Sequence, residues 1–465
     1  MKQFLILLGV ALILILSKVK NLIVDGDTFW AIKAGEWISH NRDVPRADSF
    51  SWTANGNSWV AHEWLYDLII YKLYTYLGYY GVVLLVFIGS FLVLYFLWKL
   101  YAEENKNFIL TLVIFTIVAF MLRFAMSARP HVYGYVFFVY FFYVLYYKRN
   151  LLWTLPLVTI IWANMHGSVL LGIAMVLLQL TYDTVYSYIE EKKLHFSKDY
   201  LAAIILIPLC SLINPYGIEL WKASYLQITY EMNKQINEWK PPDFSDPGWL
   251  ILYLTIILIT VFVSFSNKGV INKKQFYLLA IYLLGTFYEA ITGIRYFPYL
   301  AVCWGVFVLT LLPDGLFSGK RWNKKIFVVY ASILIIIILS LGKIPVTIED
   351  AVDGSKWPLE AVKHLENKRI FNDYMWGGYL VYLNIPVFID GRADVYWKNS
   401  DVFEDQLDTV RLKKDPIDIL KKYDVEQVII PVDRPLDIYL KRAGAIEIYR
   451  DDTAVIYDTS ELITN

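Results

Sequence analysis

The chain has 465 residues, 57% of them hydrophobic, 17% aromatic and only 18% charged, with a mean hydropathy of +0.45. That is too little charge to cover the surface of a soluble protein of this length. Basic and acidic residues balance at 43 each, which removes the basic field that nucleic-acid binding needs. Cys210 and Cys303 both lie in apolar runs, so neither a disulfide framework nor a thiol site is suggested.

Met1-Lys2 and the apolar run to Leu16 resemble a signal peptide. Lys18 and Lys20 stand where a small-residue cleavage site belongs, so the run reads as an uncleaved first span. Further stretches long enough to cross a hydrocarbon core lie near 81–98, 108–125, 131–147, 151–165, 167–186, 200–214, 249–265, 275–290, 296–312 and 326–343. With the first at 3–24, that makes about eleven transmembrane helices. The fifth and sixth are short and meet at 162–167, where a tight hairpin is expected.

Alternate loops differ in basic charge. One set carries 14 Lys and Arg in 46 residues, the other 6 in 56, which puts the first set and the N-terminus in the cytoplasm. Lys18 and Lys20 sit at the outer end of the first span, where they can snorkel to the interface. Residues 25–80 are then outside, as is everything after the last span. The chain divides on this reading into a transmembrane domain, 1–345, and an extracytoplasmic α/β domain, 346–465. In the latter, short apolar runs at 369–372, 386–389, 425–431, 445–449 and 454–458 read as strands, and 357–366, 401–411 and 415–422 as amphipathic helices.

The first outer segment opens Asp25-Gly26-Asp27-Thr28-Phe29-Trp30 and continues with apolar positions to Ile38, the pattern of an interfacial helix; a second starts at His62-Glu63-Trp64. Asp25 or Asp27 can act as a general base or a metal ligand, with His62 and Glu63 nearby, or can simply cap the helix. Arg129-Pro130-His131 offers either a turn with a snorkelling arginine or a phosphate clamp, and Arg123 and Arg295 are similar candidates. Asn164 and His166 in the 162–167 kink suggest a cavity wall. Glu238-Trp239-Lys240-Pro241-Pro242 combines an ion pair, an aromatic and a rigid bend, as in a loop that covers a site. Asn214-Pro215-Tyr216-Gly217 reads as a helix stop, and Asp390-Gly391-Arg392 as a structural corner in preference to an acceptor site. No phosphate-binding glycine loop and no zinc-type spacing occurs, so an enzyme of this kind must receive an activated substrate already in the membrane.

In this order the motifs resemble a bacterial family of membrane proteins treated as GT-C-like, and more widely the GT-C glycosyltransferases. The matching pieces are the Asp25 to Trp30 segment, His62-Glu63-Trp64-Leu65, Arg129-Pro130-His131, 162–167, Asn214-Pro215-Tyr216-Gly217, Glu238 to Pro242 and Phe388-Ile389-Asp390-Gly391-Arg392. The resemblance implies a multi-pass cell-membrane enzyme that moves a sugar from a polyprenyl-phosphate donor to an extracytoplasmic glycan, lipid or protein, by an inverting displacement. It makes Asp27 or Asp25 the catalytic base or the ligand of a divalent cation such as Mg or Mn. It also makes Arg129, Arg295 or Lys240 the group that neutralises the departing phosphate, with His131 and His166 lining the cavity. The chain departs from the usual Asp-Glu pair with Asp-Gly-Asp, and has Ala31 where a histidine often follows the aromatic pair. A surface-polysaccharide ligase or polymerase and a lipid-linked glycan flippase are the competing functions; a flippase usually shows a repeat, and none is found.

Overall fold

The computed structural model describes residues 22–464 apart from 24, 105, 193–197, 231–234, 267–272, 313–344, 367 and 398–400, together with 9, 10, 13, 15, 17 and 18. The expected first and last spans, 3–24 and 326–343, therefore lie largely or wholly outside the described residues. The chain forms two compact units. One comprises Met1–Lys18 and Val86–Lys343, the other Val19–Leu85 and Ile344–Asn465. The long segment after the first span thus folds with the C-terminal residues.

The helices α1 (Asp27–Asn41) and α2 (Trp64–Leu77) belong to the second unit; α3 (Tyr79–Ala102) starts in it and runs into the first. The first unit continues with α4 (Phe108–Leu122), α5 (His131–Tyr146), α6 (Thr154–Met165), α7 (Val169–Glu191), α8 (Lys198–Ser211), α9 (Glu219–Thr229), α10 (Pro247–Ser266), α11 (Lys273–Thr292) and α12 (Phe297–Leu311). Among the described residues, five stretches are long and apolar enough to cross a membrane: Tyr79–Ala102, Phe108–Ala125, Val169–Glu190, Pro247–Phe265 and Ile294–Leu311. This supports a membrane location. The short helices α5 and α6 are also apolar, and α6 and α7 flank the expected kink at 162–167.

Helix α12 packs against α4, α5, α10 and α11, and 78% of its apolar window is buried. For α10 the figure is 17%, and Leu258, Phe262 and Phe265 point outward, so α10 offers an apolar surface suited to lipid. Lys18 has a more specific role than snorkelling: its Nζ donates to the main-chain carbonyls of Arg123 (3.1 Å) and Met126 (3.4 Å), just past the end of α4. Helix α9 is an addition, since no helix is expected from the residues between the seventh and eighth spans.

The second unit is built on a four-stranded sheet, β1 (Ile370–Asn372), β2 (Gln427–Pro431), β3 (Ile446–Arg450) and β4 (Ala454–Asp458), in the order β1-β2-β4-β3. β1 is parallel to β2 and the other pairs are antiparallel. Central β2 and β4 are buried over four of their five residues, as their continuous apolar runs require; edge strand β3 is largely exposed. Asp451 closes the β3–β4 turn by accepting from the amides of Thr453 and Ala454, both at 2.7 Å.

Two expected elements differ. Residues 386–389 do not enter the sheet. Val387 instead forms a parallel bridge with Ser51, the Trp52 amide donates to the Val387 carbonyl (3.0 Å), and buried Asn372 holds the Phe388 amide (2.8 Å) and the Ile389 carbonyl (2.8 Å). Residues 357–366 form only the single turn Ala361–His364, because Pro358 interrupts the first part and the chain then turns into β1. Helices Val402–Val410 and Pro416–Lys422 form as expected. A further helix, Pro435–Ala443, lies between β2 and β3 and is tied to the sheet by Asp437, which accepts from Arg450 and from the Tyr457 hydroxyl (2.6 Å).

Candidate functional site

The candidate residues fall into two groups, one in each unit. In the sheet-containing unit, Asp25 and Asp27 divide the two readings of the acidic pair. Asp25 Oδ1 accepts from the Asp27 amide (3.1 Å), a turn-capping role at the start of α1. Asp27, half-buried, accepts through Oδ1 from the Trp30 indole N–H at 3.0 Å. Its surroundings are glycines. A Cβ on Gly391 would lie 2.2 Å from Asp27 Oδ1, and one on Gly378 would lie 2.0 Å from the Gly26 carbonyl oxygen. The Asp25-Gly26-Asp27 turn is therefore seated directly on backbone of the C-terminal segment, which fixes where the Asp27 carboxylate sits.

That seat is held by a buried ion network. Arg392 is 2% exposed and donates to Asp390 (Nε to Oδ1, 2.9 Å; Nη2 to Oδ2, 2.5 Å) and to Asp48 (Nη1 to Oδ1, 2.7 Å). The Tyr396 hydroxyl also donates to Asp390, and the guanidinium lies 4.8 Å from the Phe50 ring centre and 4.6 Å from that of Trp59. Asp390-Gly391-Arg392 is a fastening between residues 48–59 and the sheet, as its structural reading holds.

His62 and Glu63 form an ion pair at 3.4 Å. Burial works against charge on the ring, but the Glu63 carboxylate more than offsets it and the His62 pKa is raised to about 9. Two acids beside them were not anticipated. Asp394, close enough to act on His62, is pushed up to about 6, chiefly by burial. Asp67 on α2 is fully buried, neither carboxylate oxygen has a hydrogen-bond partner among the described residues, and burial together with Glu63 and Asp27 raises its pKa well above the usual range despite Arg392. The signal for Asp67 was an acid four residues after Glu63 in a mostly apolar helix.

The helical unit gathers the basic candidates. Arg129 donates to both carboxylate oxygens of Glu238 (Nη1 to Oε2, 2.5 Å; Nη2 to Oε1, 3.4 Å), and Arg295 Nη1 donates to Oε1 at 3.4 Å. The Trp239 ring lies 3.8 Å from the Arg295 guanidinium, and the Ile294 amide donates to the Lys240 carbonyl at 3.0 Å. Burial would raise the Glu238 pKa; Arg129 and Arg295 reverse that and hold it down at about 2. Lys240 itself is not part of this cluster, its Nζ donating to Asn237 Oδ1 at 2.9 Å.

His131 is tied by Nε2 to the Ala125 carbonyl at 2.9 Å. At the kink, Ser168 accepts from the Trp162 indole (3.0 Å) and its hydroxyl meets His166 Nδ1 (2.7 Å); the Ser168 amide donates to the same Nδ1 (3.2 Å), which makes that nitrogen an acceptor. Asn164 donates to the carbonyls of Ile160 (2.7 Å) and Ile213 (2.8 Å), tying α6 to the end of α8. Asn214 likewise closes its own turn by accepting from the Tyr216 amide (2.8 Å).

For a divalent cation the donor set does not fit. Among the described residues no three His, Cys, Asp or Glu side chains are gathered closely enough to hold a metal. Asp25 Oδ1 is also engaged with backbone.

No protein-family model matches the chain, and no curated protein matches it in sequence. Solved structures do match in fold. The oligosaccharyltransferase of Archaeoglobus fulgidus in its apo form superposes with a TM-score of 0.58 at 10% identity, over 98% of this chain and 74% of that one. The archaeal oligosaccharyltransferase AglB from the same organism, in complex with an inhibitory peptide and a dolichol-phosphate, gives a TM-score of 0.50 at 11% identity, over 99% and 74%. At this identity the likeness establishes a shared fold.

Proposed function

We propose that this chain is a GT-C-type membrane glycosyltransferase that moves a sugar from a polyprenyl-phosphate-linked donor to an extracytoplasmic acceptor in one inverting displacement. The N-terminus is cytoplasmic and the sheet-containing unit extracytoplasmic on this reading. The observation that carries it is Asp27. It is an ionisable carboxylate directly after the first apolar run, held by Trp30 and seated on Gly391, while its neighbour Asp25 does the capping. The shared fold with oligosaccharyltransferases, one of them solved with a dolichol-phosphate, supports the choice of donor class.

The reaction needs a base and a stabilised leaving group. Asp27 takes the proton of the acceptor hydroxyl as its oxygen forms a bond to the anomeric carbon. The bond between that carbon and the phosphate oxygen breaks, its electron pair stays on the phosphate, and the polyprenyl phosphate departs. The departing phosphate calls for positive charge, for which a planar guanidinium is suited, and Arg129 and Arg295 of the helical unit are the candidates. His131 and His166 line the donor cavity, and the His62–Glu63 pair, with Asp67, sets the electrostatics around Asp27.

The test is incubation of the purified full-length protein with a panel of polyprenyl-phosphate sugars and candidate acceptors, with chromatography of the released polyprenyl phosphate as the readout. Release that depends on both donor and acceptor is expected for at least one sugar. Release from none, with a correctly folded protein, contradicts the reading.

A further inference from the structure

Helix α9, which no span pattern announces, sorts its residues into three stripes. Along one side Leu220 and Ser224 are buried against the protein. A second stripe, Ile218, Trp221, Tyr225 and Ile228, repeats at the three- and four-residue spacing of one helix face. Its Ile218, Tyr225 and Ile228 are 48%, 63% and 61% exposed. The third stripe has the same spacing and holds Glu219, Lys222, Leu226 and Thr229, all exposed, with Glu219 and Lys222 paired at 2.6 Å.

A helix between protein and water needs only two faces, one apolar and buried, one polar and wet. A third face that is both apolar and exposed calls for a second apolar medium. We propose that α9 is an interfacial helix, whose Ile218–Tyr225–Ile228 face docks into the boundary between lipid headgroups and acyl chains while Glu219 and Lys222 face water.

The neighbouring helix says what covers this face. Leu201, Ile205 and Leu209, spaced by four along α8, and Ile213 just past its end are 41–61% exposed, an apolar stripe suited to lipid in a chain with membrane-spanning helices. Ile218 continues that stripe onto α9 across a fixed corner. Gly217 turns the chain at φ +52°, Asn214 accepts from the Tyr216 amide (2.8 Å), and the Trp221 indole donates to Ser211 Oγ (2.9 Å), pinning α9 across the end of α8. Tyrosine and tryptophan are also the aromatic residues that favour the headgroup level. The Glu219–Lys222 pair leaves α9 without net charge, so apolar burial drives the docking and the lipid need not be anionic. Anchored in this way, α9 sets the depth from which the chain runs on to the 236–240 turn and its contact with Arg129.

Spin labels on single cysteines test this in the full-length protein, reconstituted into phosphatidylcholine nanodiscs. The parent is Cys210→Ser, with Cys303 left in place because it is buried, and the labelled parent supplies the background. Nitroxides at Tyr225→Cys and Ile228→Cys should collide more with oxygen, which concentrates among acyl chains, than with a water-soluble nickel chelate. At Lys222→Cys the order should reverse, and all three results should be the same in phosphatidylglycerol nanodiscs. Melting temperatures equal to the parent's show that the variants are folded; where an apolar-face variant is not, Ile218→Cys takes its place. Nickel access at Tyr225→Cys and Ile228→Cys as high as at Lys222→Cys puts the face in water and overturns the proposal. Exclusion of both reagents from these positions, with spin–spin broadening where a second copy covers the face, overturns it too. So does an oxygen preference found only with phosphatidylglycerol, because charge would then be the cause.

Discussion

Two arginine–carboxylate networks in this molecule look alike in sequence and differ in physics. Arg392 is enclosed by Asp390, Asp48 and two aromatic rings, with two carboxylates for one guanidinium and almost no exposure. Arg129 and Arg295 both donate to Glu238, and their side chains remain partly exposed. A buried, over-neutralised arginine can only hold parts together, because removing either partner leaves an uncompensated charge. A partly exposed pair is within reach of solvent and of a ligand. Burial, more than residue type, separates the two networks.

The largest effect that can break this contrast is expected at the fastening. Arg392→Ala leaves Asp48 and Asp390 buried without their cation and should cost about 3–5 kcal/mol of stability. Thermal melting reads this as loss of the sheet-containing unit, with activity falling only because folded protein is lost. Arg129→Ala should do the opposite. Transfer should drop by about 10²–10³-fold, as for loss of one transition-state donor, with a melting curve close to wild type. A large melting shift in Arg129→Ala, or a stable but inactive Arg392→Ala, would reverse the assignments.

A smaller effect sharpens the picture around Asp27. Because His62 is raised above its ordinary value of 6.5 to about 9, the folded state binds its proton more tightly than the unfolded chain does. The resulting stability is fully present below pH 6.5, declines as pH rises, and is gone above pH 9. Melting temperatures across that window should fall for the wild type, and His62→Gln should flatten this component. An unchanged slope in His62→Gln would remove the ion pair from the account.

Much of this was legible in the sequence, for local reasons. The helix after Asp27, the buried strands β2 and β4 and the kink between α6 and α7 arise from short-range patterns. So does the structural role of Asp390-Gly391-Arg392, though not its partner Asp48, 344 residues from Arg392. The same distance problem hid the packing of 19–85 with 344–465, and the Arg129–Glu238 pair at a separation of 109. Residues 386–389 had the right apolar run for a strand, but their hydrogen bonds were claimed by Ser51, Trp52 and Asn372, a competition no local pattern reveals. Asp67 was overlooked because an acid in a mostly apolar helix looks like its solvent face; only packing shows it buried.

The central claim is that Asp27 is the base of a sugar transfer, and single-turnover transfer by Asp27→Asn tests it most directly. With donor binding and melting temperature retained, the transfer rate should fall by about 10²–10⁴-fold, the usual contribution of a positioned general base. Transfer at the wild-type rate by folded Asp27→Asn would contradict the account.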